Sequence, residues 1–245
     1  MLTHICLGVN IKLMIALPTG TLDPSAEIIG FVENEINYRE LNTPADFRLA
    51  YEFRYRICVQ KMHWIDGNPD TQTESDEFDE YSYHFGAFQG DVIIGYCRLT
   101  PDDVPSSTMT RKYFSDLLHH GTDYPSDGAA DISRLIIDMD YIGKNKLMLK
   151  RILTNIYRLV YGRSELAHPA ILRWYFVTTP ILMKGLRYQL WLPVTEIGKG
   201  ITPDGKTTHL ATIDLRAARN RLRIIAPLHL WKFARTKRLL IKPEE

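Results

Sequence analysis

The chain is 245 residues long, with 30 Lys or Arg against 29 Asp or Glu and a net charge of +1. That balance makes no case for nucleic acid as a partner, and the length suits one substantial core better than two cramped domains. Hydrophobic content of 45% and charged content of 24% are ordinary for a globular chain and exclude a disordered one. Cys6, Cys58 and Cys97 are odd in number and show no C-x-x-C spacing, so a reducing cytoplasm fits and a thiolate metal site is not expected.

Residues 5–17 form an apolar run broken by Asn10 and Lys12, too short to span a bilayer and preceded by no positive segment. Residues 1–30 are expected to be a weakly ordered extension, with Met14 or a later residue open as the true start. Residues 35–41 alternate as a strand does. Thr43-Pro44 reads as an N-cap followed by proline at the first helical position. Phe47, Ala50, Tyr51, Arg54 and Cys58 then recur every three or four residues, which predicts a helix to about Gln60. Gly67 and Pro69 mark a loop over 64–73. A hairpin follows over 82–100 with its turn at Gly90-Asp91, and Cys97 within it reads as a small buried hydrophobe. A helical patch at 111–118, a strand at 131–138, a helix at 146–161, a strand at 173–179, a helix at 180–187 and strands at 191–197 and 207–213 complete the order. This predicts an α/β fold: a mixed, mostly antiparallel sheet with helices on both faces, in three αβα layers. Residues 216–245 form a basic C-terminal extension, with nine Lys or Arg between Arg216 and Lys242 and with Leu228, Leu230, Trp231 and Phe233 interleaved. Two readings stay open for it: an amphipathic helix facing a membrane or partner, and a helix docked on the body with its cations in water.

The densest chemistry lies between Arg54 and Asp79, spaced R-x6-K-x2-W-x9-E-S-D-E-F-D and carrying Arg54, Lys61, Trp64, Glu74, Asp76, Phe78 and Asp79. Three acids within six residues repel one another unless cations compensate them. A solvated acidic loop is the plain alternative. Downstream come the 83–97 hairpin leading into Arg98-Leu-Thr-Pro101, then Phe114, then Ala130-Asp131-Ile-Ser-Arg134, then Val177-Thr178-Thr179. In this order, over residues 36–215, the motifs resemble those of the acyl-homoserine-lactone synthases, acyltransferases of the N-acetyltransferase (GNAT) fold.

The resemblance implies an acyltransferase domain over 31–215 that moves an acyl group from acyl carrier protein to the amine of S-adenosylmethionine. Lactonisation then releases methylthioadenosine, and the product is a quorum-sensing autoinducer. It implies a catalytic set of Glu74, Asp76, Asp79, Arg98, Asp131 and Arg134, joined in an ion-pair network along the adenosylmethionine cleft. Arg54, Trp64 and Phe114 would bind that co-substrate; a tryptophan face suits a sulfonium through cation–π attraction worth about 0.5–2 kcal/mol. No cofactor is implied. A related N-acyl amino acid synthase, or an exosortase-associated acyltransferase of the same fold, is the alternative.

Three positions depart from the family pattern. Cys58 stands where a Phe is usual, Asp66 where an aliphatic residue is usual, and Asp131 where a Glu is usual, shortening the carboxylate's reach by about one methylene. His63 and His84 invite a general-base role, although a lone histidine at a strand start is more often structural. No His-x-x-x-His or Cys–His array suggests a metal. Residues 138–146 hold a single Gly143 and lack the Gly-rich loop that cradles coenzyme A pyrophosphate. Lys144, Lys146, Lys150, Arg151 and Arg158 instead put positive charge there, suited to an acidic carrier protein. Acyl selection is expected from Phe176 and Thr178; Phe176 stands where synthases of 3-oxo-acyl products often offer Thr, which favours an unsubstituted chain.

Overall fold

The computed structural model describes residues 29–103, 108–122, 124, 127–201, 205 and 207–225. Of the extension expected over 1–30, residues 1–28 lie outside these residues, as does the end of the basic segment, whereas Ile29 is buried and Gly30 opens a strand. Eight strands form one sheet in the order β1-β2-β3-β4-β5-β6-β8-β7: β1 Gly30–Glu33, β2 Ile36–Leu41, β3 Tyr83–Gln89, β4 Val92–Pro101, β5 Ala129–Ile137, β6 Arg173–Thr178, β7 Val194–Ile201 and β8 Thr207–Asp214. Neighbours are antiparallel except β5 and β6, which α4 (Lys146–Leu166) joins by a crossover. Among the described residues, no helix is long and apolar enough to cross a membrane.

One face carries the main core. There α4, α5 (Pro180–Tyr188) and α6 (Leu215–Ile225) press Ile152, Ile156, Leu159, Met183, Leu186 and Leu222 onto Phe85, Cys97, Leu99, Ile132, Trp174 and Ala211. The opposite face is covered by α1 (Pro44–Arg54), which packs Ala50 and Phe53 on Leu41, Phe88 and Tyr96. α2 (Met109–Phe114) lies further along that face, and α3 (Met139–Ile142) is a single turn after β5. Burial on both faces explains why β3 and β4 read as nearly continuous apolar runs around the buried polar residues His84 and Arg98.

α1 starts as expected, with Thr43 and Asp46 forming a reciprocal capping box after which Pro44 opens the helix. It does not run on to Gln60 as an α-helix. From Tyr55 to Lys61 the chain widens into a π-helix, tied outward by Arg56 to Asp138 at 2.9 Å and Lys61 to Asp140 at 2.6 Å. Such widening is rare and concentrates near functional sites. α4 extends five residues past the expected end, and Arg158 is buried against Glu33 and Asn155 rather than displayed with the basic face. β7 begins at Val194, three residues later than expected, because Trp191 takes a positive φ of 59° before it. β1 was not anticipated; Asn34 and Glu35, with φ of 53° and 64°, turn the chain tightly into β2.

Candidate active site

Three neighbouring strands build the site's floor. Register places His84 of β3 opposite Arg98 of β4, and Arg98 opposite Ser133 of β5, in one row across the sheet. Arg98 Nε donates to Ser133 Oγ at 2.9 Å along that row. Between Arg98 and Tyr96 the β4–β5 ladder slips by a residue, and Arg134 at the slip takes φ 52°. Simple alternation would aim Arg134 at the main core. The bulge turns it back to join its neighbour's face, a common use of such an irregularity.

Above the floor lies the acidic loop. Glu74 N–H is anchored to Tyr51 O at 3.1 Å, and Asp76 N–H to Asp79 Oδ2 at 2.7 Å. Asp79 Oδ1 accepts from Arg54 Nη1 and Arg98 Nη1, both at 2.6 Å. Glu74 accepts from Arg54 Nε and, at 3.1 Å, from Arg134 Nη2. Asp76 takes Arg98 on one oxygen and Arg134 Nη2, at 2.8 Å, on the other. Three carboxylates meet three guanidiniums, so the cluster is balanced without any ligand. Arg54, Arg98 and Arg134 are thus the cations that the clustered acids require.

Burial separates its members. Arg54 and Arg98 are fully buried, and Glu74 and Asp79 nearly so, whereas the Asp76 and Arg134 side chains retain 21% and 17% exposure. The first four are the frame, and the last two are what an incoming molecule can touch. Burial alone would raise the Asp79 carboxyl, but Arg54 and Arg98 outweigh it and hold the group far below the usual carboxylate range.

Under the cluster, His84 Nδ1 faces Tyr96 OH at 2.6 Å and Nε2 faces the Asp79 carbonyl at 2.9 Å. A carbonyl only accepts, so Nε2 carries the proton and Nδ1 accepts from the tyrosine. Burial, reinforced by Arg54 and Arg98 against the pull of Asp79, brings the imidazole down to about 4. It is a neutral strut, unsuited to the base role its position invited.

Asp131 does not join the ion-pair network as the resemblance implied. It lies one pair further along β5, opposite Thr100 and Tyr175. There it accepts from Thr110 N–H at 2.5 Å and Tyr124 OH at 3.2 Å. Tyr124 stacks on Tyr175 with centroids 4.0 Å apart. Among the described residues no guanidinium pairs with it, and burial pushes the Asp131 carboxyl up to about 6. Tyr124 and Thr110 went unnoticed in the sequence, since only the sheet register and α2 bring them to Asp131.

Beside Asp131 the sheet splits. β5 and β6 pair only from Ala129–Asp131 to Arg173–Tyr175, after which β6 follows β8. Phe176 and Thr178 lie past the split, buried; Phe176 packs with Trp174 and Met183 in the main core. Trp64 stands 58% exposed on the loop after the π-helix, its backbone N–H bonded to Cys58 O at 2.9 Å. Phe114 ends α2 half-buried, and Cys58 is buried in the α1 packing with its thiol pushed up to about 11 by that burial. Lys144, Lys146, Lys150 and Arg151 are all exposed at the start of α4, where Lys150 borders a groove with Leu153, Leu182 and Leu186. Among the described residues, no group of three or more His, Cys, Asp or Glu could hold a metal ion.

Residues 53–151 match the acetyltransferase (GNAT) domain, a span that holds the whole ion-pair cluster and Asp131. With the sheet and its split, this match gives the chain a GNAT-like fold. The same architecture is found in TofI, solved in a ternary complex with an inhibitor and MTA, at 18% identity over 77% of this chain and 95% of TofI, with a TM-score of 0.59. It recurs in BjaI, a CoA-dependent acyl-homoserine lactone synthase solved with SAM and isopentyl-CoA, at 22% identity, 74% and 83% coverage and a TM-score of 0.55. FeeM, an N-acyl amino acid synthase from uncultured soil microbes, shares it at 16% identity, 76% and 94% coverage and a TM-score of 0.53. No curated protein matches the chain in sequence.

Proposed function

We propose that the chain is an acyl-homoserine-lactone synthase of the cytoplasm, joining an acyl group from acyl carrier protein to S-adenosylmethionine. The carrying observation is the six-residue cluster, three carboxylates against three guanidiniums, that leaves the Asp76 and Arg134 side chains partly open, with Trp64 exposed on the chain leading to it. Adenosylmethionine presents an ammonium, a carboxylate and a sulfonium. Asp76 suits the ammonium, Arg134 the carboxylate through paired charge-assisted hydrogen bonds, and Trp64 or Phe114 the sulfonium. Glu74, Asp79, Arg54 and Arg98 hold these two in place.

The amine must lose a proton before it attacks the thioester. Arg54 and Arg98 hold Asp79 too low to be a base, whereas burial suits Asp131 to accept the proton, directly or through a water. Attack forms the amide and breaks the acyl–sulfur bond, and the carrier thiol leaves with a proton. The methionine carboxylate oxygen then bonds to its own γ-carbon as the carbon–sulfonium bond breaks. That closes the lactone and frees neutral methylthioadenosine. No cofactor enters the balance. The acyl chain would pass through the β5–β6 split toward Phe176 and Thr178, and Phe176 offers no hydroxyl to a 3-oxo group, which favours an unsubstituted chain.

Carrier protein is favoured as donor because Asn145 Oδ1 already occupies the Met148 N–H at 3.0 Å, capping the helix start where a pyrophosphate would sit. The exposed Lys144, Lys146, Lys150 and Arg151 suit an acidic protein. The FeeM likeness keeps N-acyl amino acid synthesis as the second reading, in which Arg134 would hold a free amino acid carboxylate. Mass spectrometry of extracts from a host expressing the chain separates the two. Acyl-homoserine lactone with methylthioadenosine is expected, and Arg134→Ala should remove both while the protein stays folded. N-acyl amino acids in their place, or near-normal turnover by folded Arg134→Ala, would overturn the assignment.

A further inference from the structure

The basic C-terminal segment lies outside the acyl-transfer machinery, and α6 is its described part. Charge is segregated along the chain: residues 216–245 hold nine Lys or Arg against two Glu, while the preceding 215 residues hold 21 against 27. The structure shows how α6 presents its share. Leu215, Ala218 and Leu222 are buried on the main core. Asp214 caps the start, accepting Ala217 N–H at 2.8 Å, so the helix is held firmly to the body. At about 100° per residue, the arc opposite this stripe runs through Ala217, Asn220 and Ile224. Arg216 and Arg223 flank it on one side and Arg221 on the other, all exposed, and Ile224 is 83% exposed. Arg219 leans back to Glu165 at 3.6 Å. Among the described residues, no carboxylate pairs with Arg216, Arg221 or Arg223.

We propose that this outward face of α6 docks the protein on an anionic lipid bilayer. An exposed isoleucine flanked on both sides by arginine is the pattern of an interfacial helix, whose cations reach phosphates while its apolar side chain enters the headgroup boundary. Beyond α6 the sequence continues in kind, with Leu228, Leu230, Trp231 and Phe233 among Lys232, Arg235, Lys237 and Arg238. Aromatic side chains favour the membrane–water boundary, a feature that favours lipid over an acidic protein or nucleic acid. The surface is separate from the carrier-protein patch. Lys150 and Glu165 stand 15 residues apart on α4, roughly 20 Å along its axis. The net-acidic remainder of the molecule would be repelled by the same lipid, fixing which side faces the bilayer.

The test is sedimentation of the full chain with vesicles of phosphatidylcholine alone and of phosphatidylcholine mixed with phosphatidylglycerol. Binding is expected only to the mixed vesicles and should fall as salt is raised. Each arginine near such a surface is worth about five-fold in affinity, so Arg216→Gln/Arg221→Gln/Arg223→Gln should weaken binding roughly 100-fold. These side chains are exposed, so an unchanged urea midpoint is expected to show that the variant is folded. Equal binding to both vesicle types, or an unaffected triple variant, would overturn the proposal. So would salt-sensitive binding to a DNA fragment with no vesicle binding.

Discussion

Two buried titratable side chains within the site respond to acid in opposite senses. His84 is held neutral in the folded state, with its ordinary 6.5 brought to about 4 by burial. Between those values the unfolded chain binds the extra proton, so stability falls as pH drops from about 6.5 to 4, by roughly 3 kcal/mol in total. Asp131 is raised from 3.8 to about 6 by burial. There the folded state binds the extra proton, so this group adds stability over the same descent and largely masks the histidine. Urea unfolding at pH 7 and pH 5 should separate them. Asp131→Asn is expected to make the protein markedly more acid-sensitive, and His84→Gln to flatten the loss or reverse it. Parallel pH dependence in both variants would contradict the assignment. If Asp131 accepts the amine proton, kcat/KM should also rise with pH through about 6, a limb that Asp131→Asn loses along with most of the activity.

At the scale of elements, the site depends on irregularities rather than on regular helix and strand. The π-helix after Arg54, the bulge at Arg134 and the β5–β6 split each redirect side chains that uniform geometry would send elsewhere. A fourth close fit holds the far end of the sheet, where the 3-10 turn Ser115–Leu117 after α2 lies against β7. A Cβ at Gly198 would stand 2.3 Å from the Leu117 carbonyl oxygen, a backbone atom that cannot swing away. Gly198→Ala should therefore destabilise the protein by about 1–3 kcal/mol. Because α2 carries Thr110 to Asp131, the same change should also lower activity in the folded fraction. Gly185 in α5 meets nothing within 4 Å, so Gly185→Ala should stabilise by up to about 1 kcal/mol. Urea midpoints of the two variants, moving in opposite directions, check both expectations.

At the scale of the molecule, three separate groups of charge stand out among the described residues: the mostly buried neutral cluster, the start of α4 and the outer face of α6. The cluster is already compensated, so adenosylmethionine should stabilise the protein by mass action, about 2.7 kcal/mol at a concentration 100 times its Kd. Asp76→Asn should remove most of the rise in melting temperature. Asp70→Asn, in the exposed part of the same loop, should not. A rise with free amino acid and none with adenosylmethionine would turn the assignment to the N-acyl amino acid synthase reading. At the start of α4, Lys150→Glu with Arg151→Glu should impair use of acyl carrier protein far more than use of a short acyl-coenzyme A, and salt should mimic the loss, since screening confines surface charge to about 8 Å. Equal impairment with both donors would point to damage to the fold.

The order of strands from β2 onward and of α1, α2, α4 and α5 was readable from the chain alone, because alternation in 82–100, the Thr43-Pro44 cap and the helical spacing of 146–161 are local signals set by neighbours in sequence. The resemblance also pointed to Arg54, Glu74, Asp76, Asp79, Arg98 and Arg134, which the fold gathers into one cluster, but it set Asp131 among them. Their division of labour was not readable. Spacing cannot tell a buried Arg98 from a half-open Arg134, nor show that Asp131 faces Tyr124 and Thr110 instead of an arginine. Those outcomes depend on a one-residue slip between two strands, a wider turn after Arg54, and the packing of α2 over the sheet. Each is decided by contacts between residues tens of positions apart, and burial, which sets what every charge in the site can do, exists only once those contacts have formed.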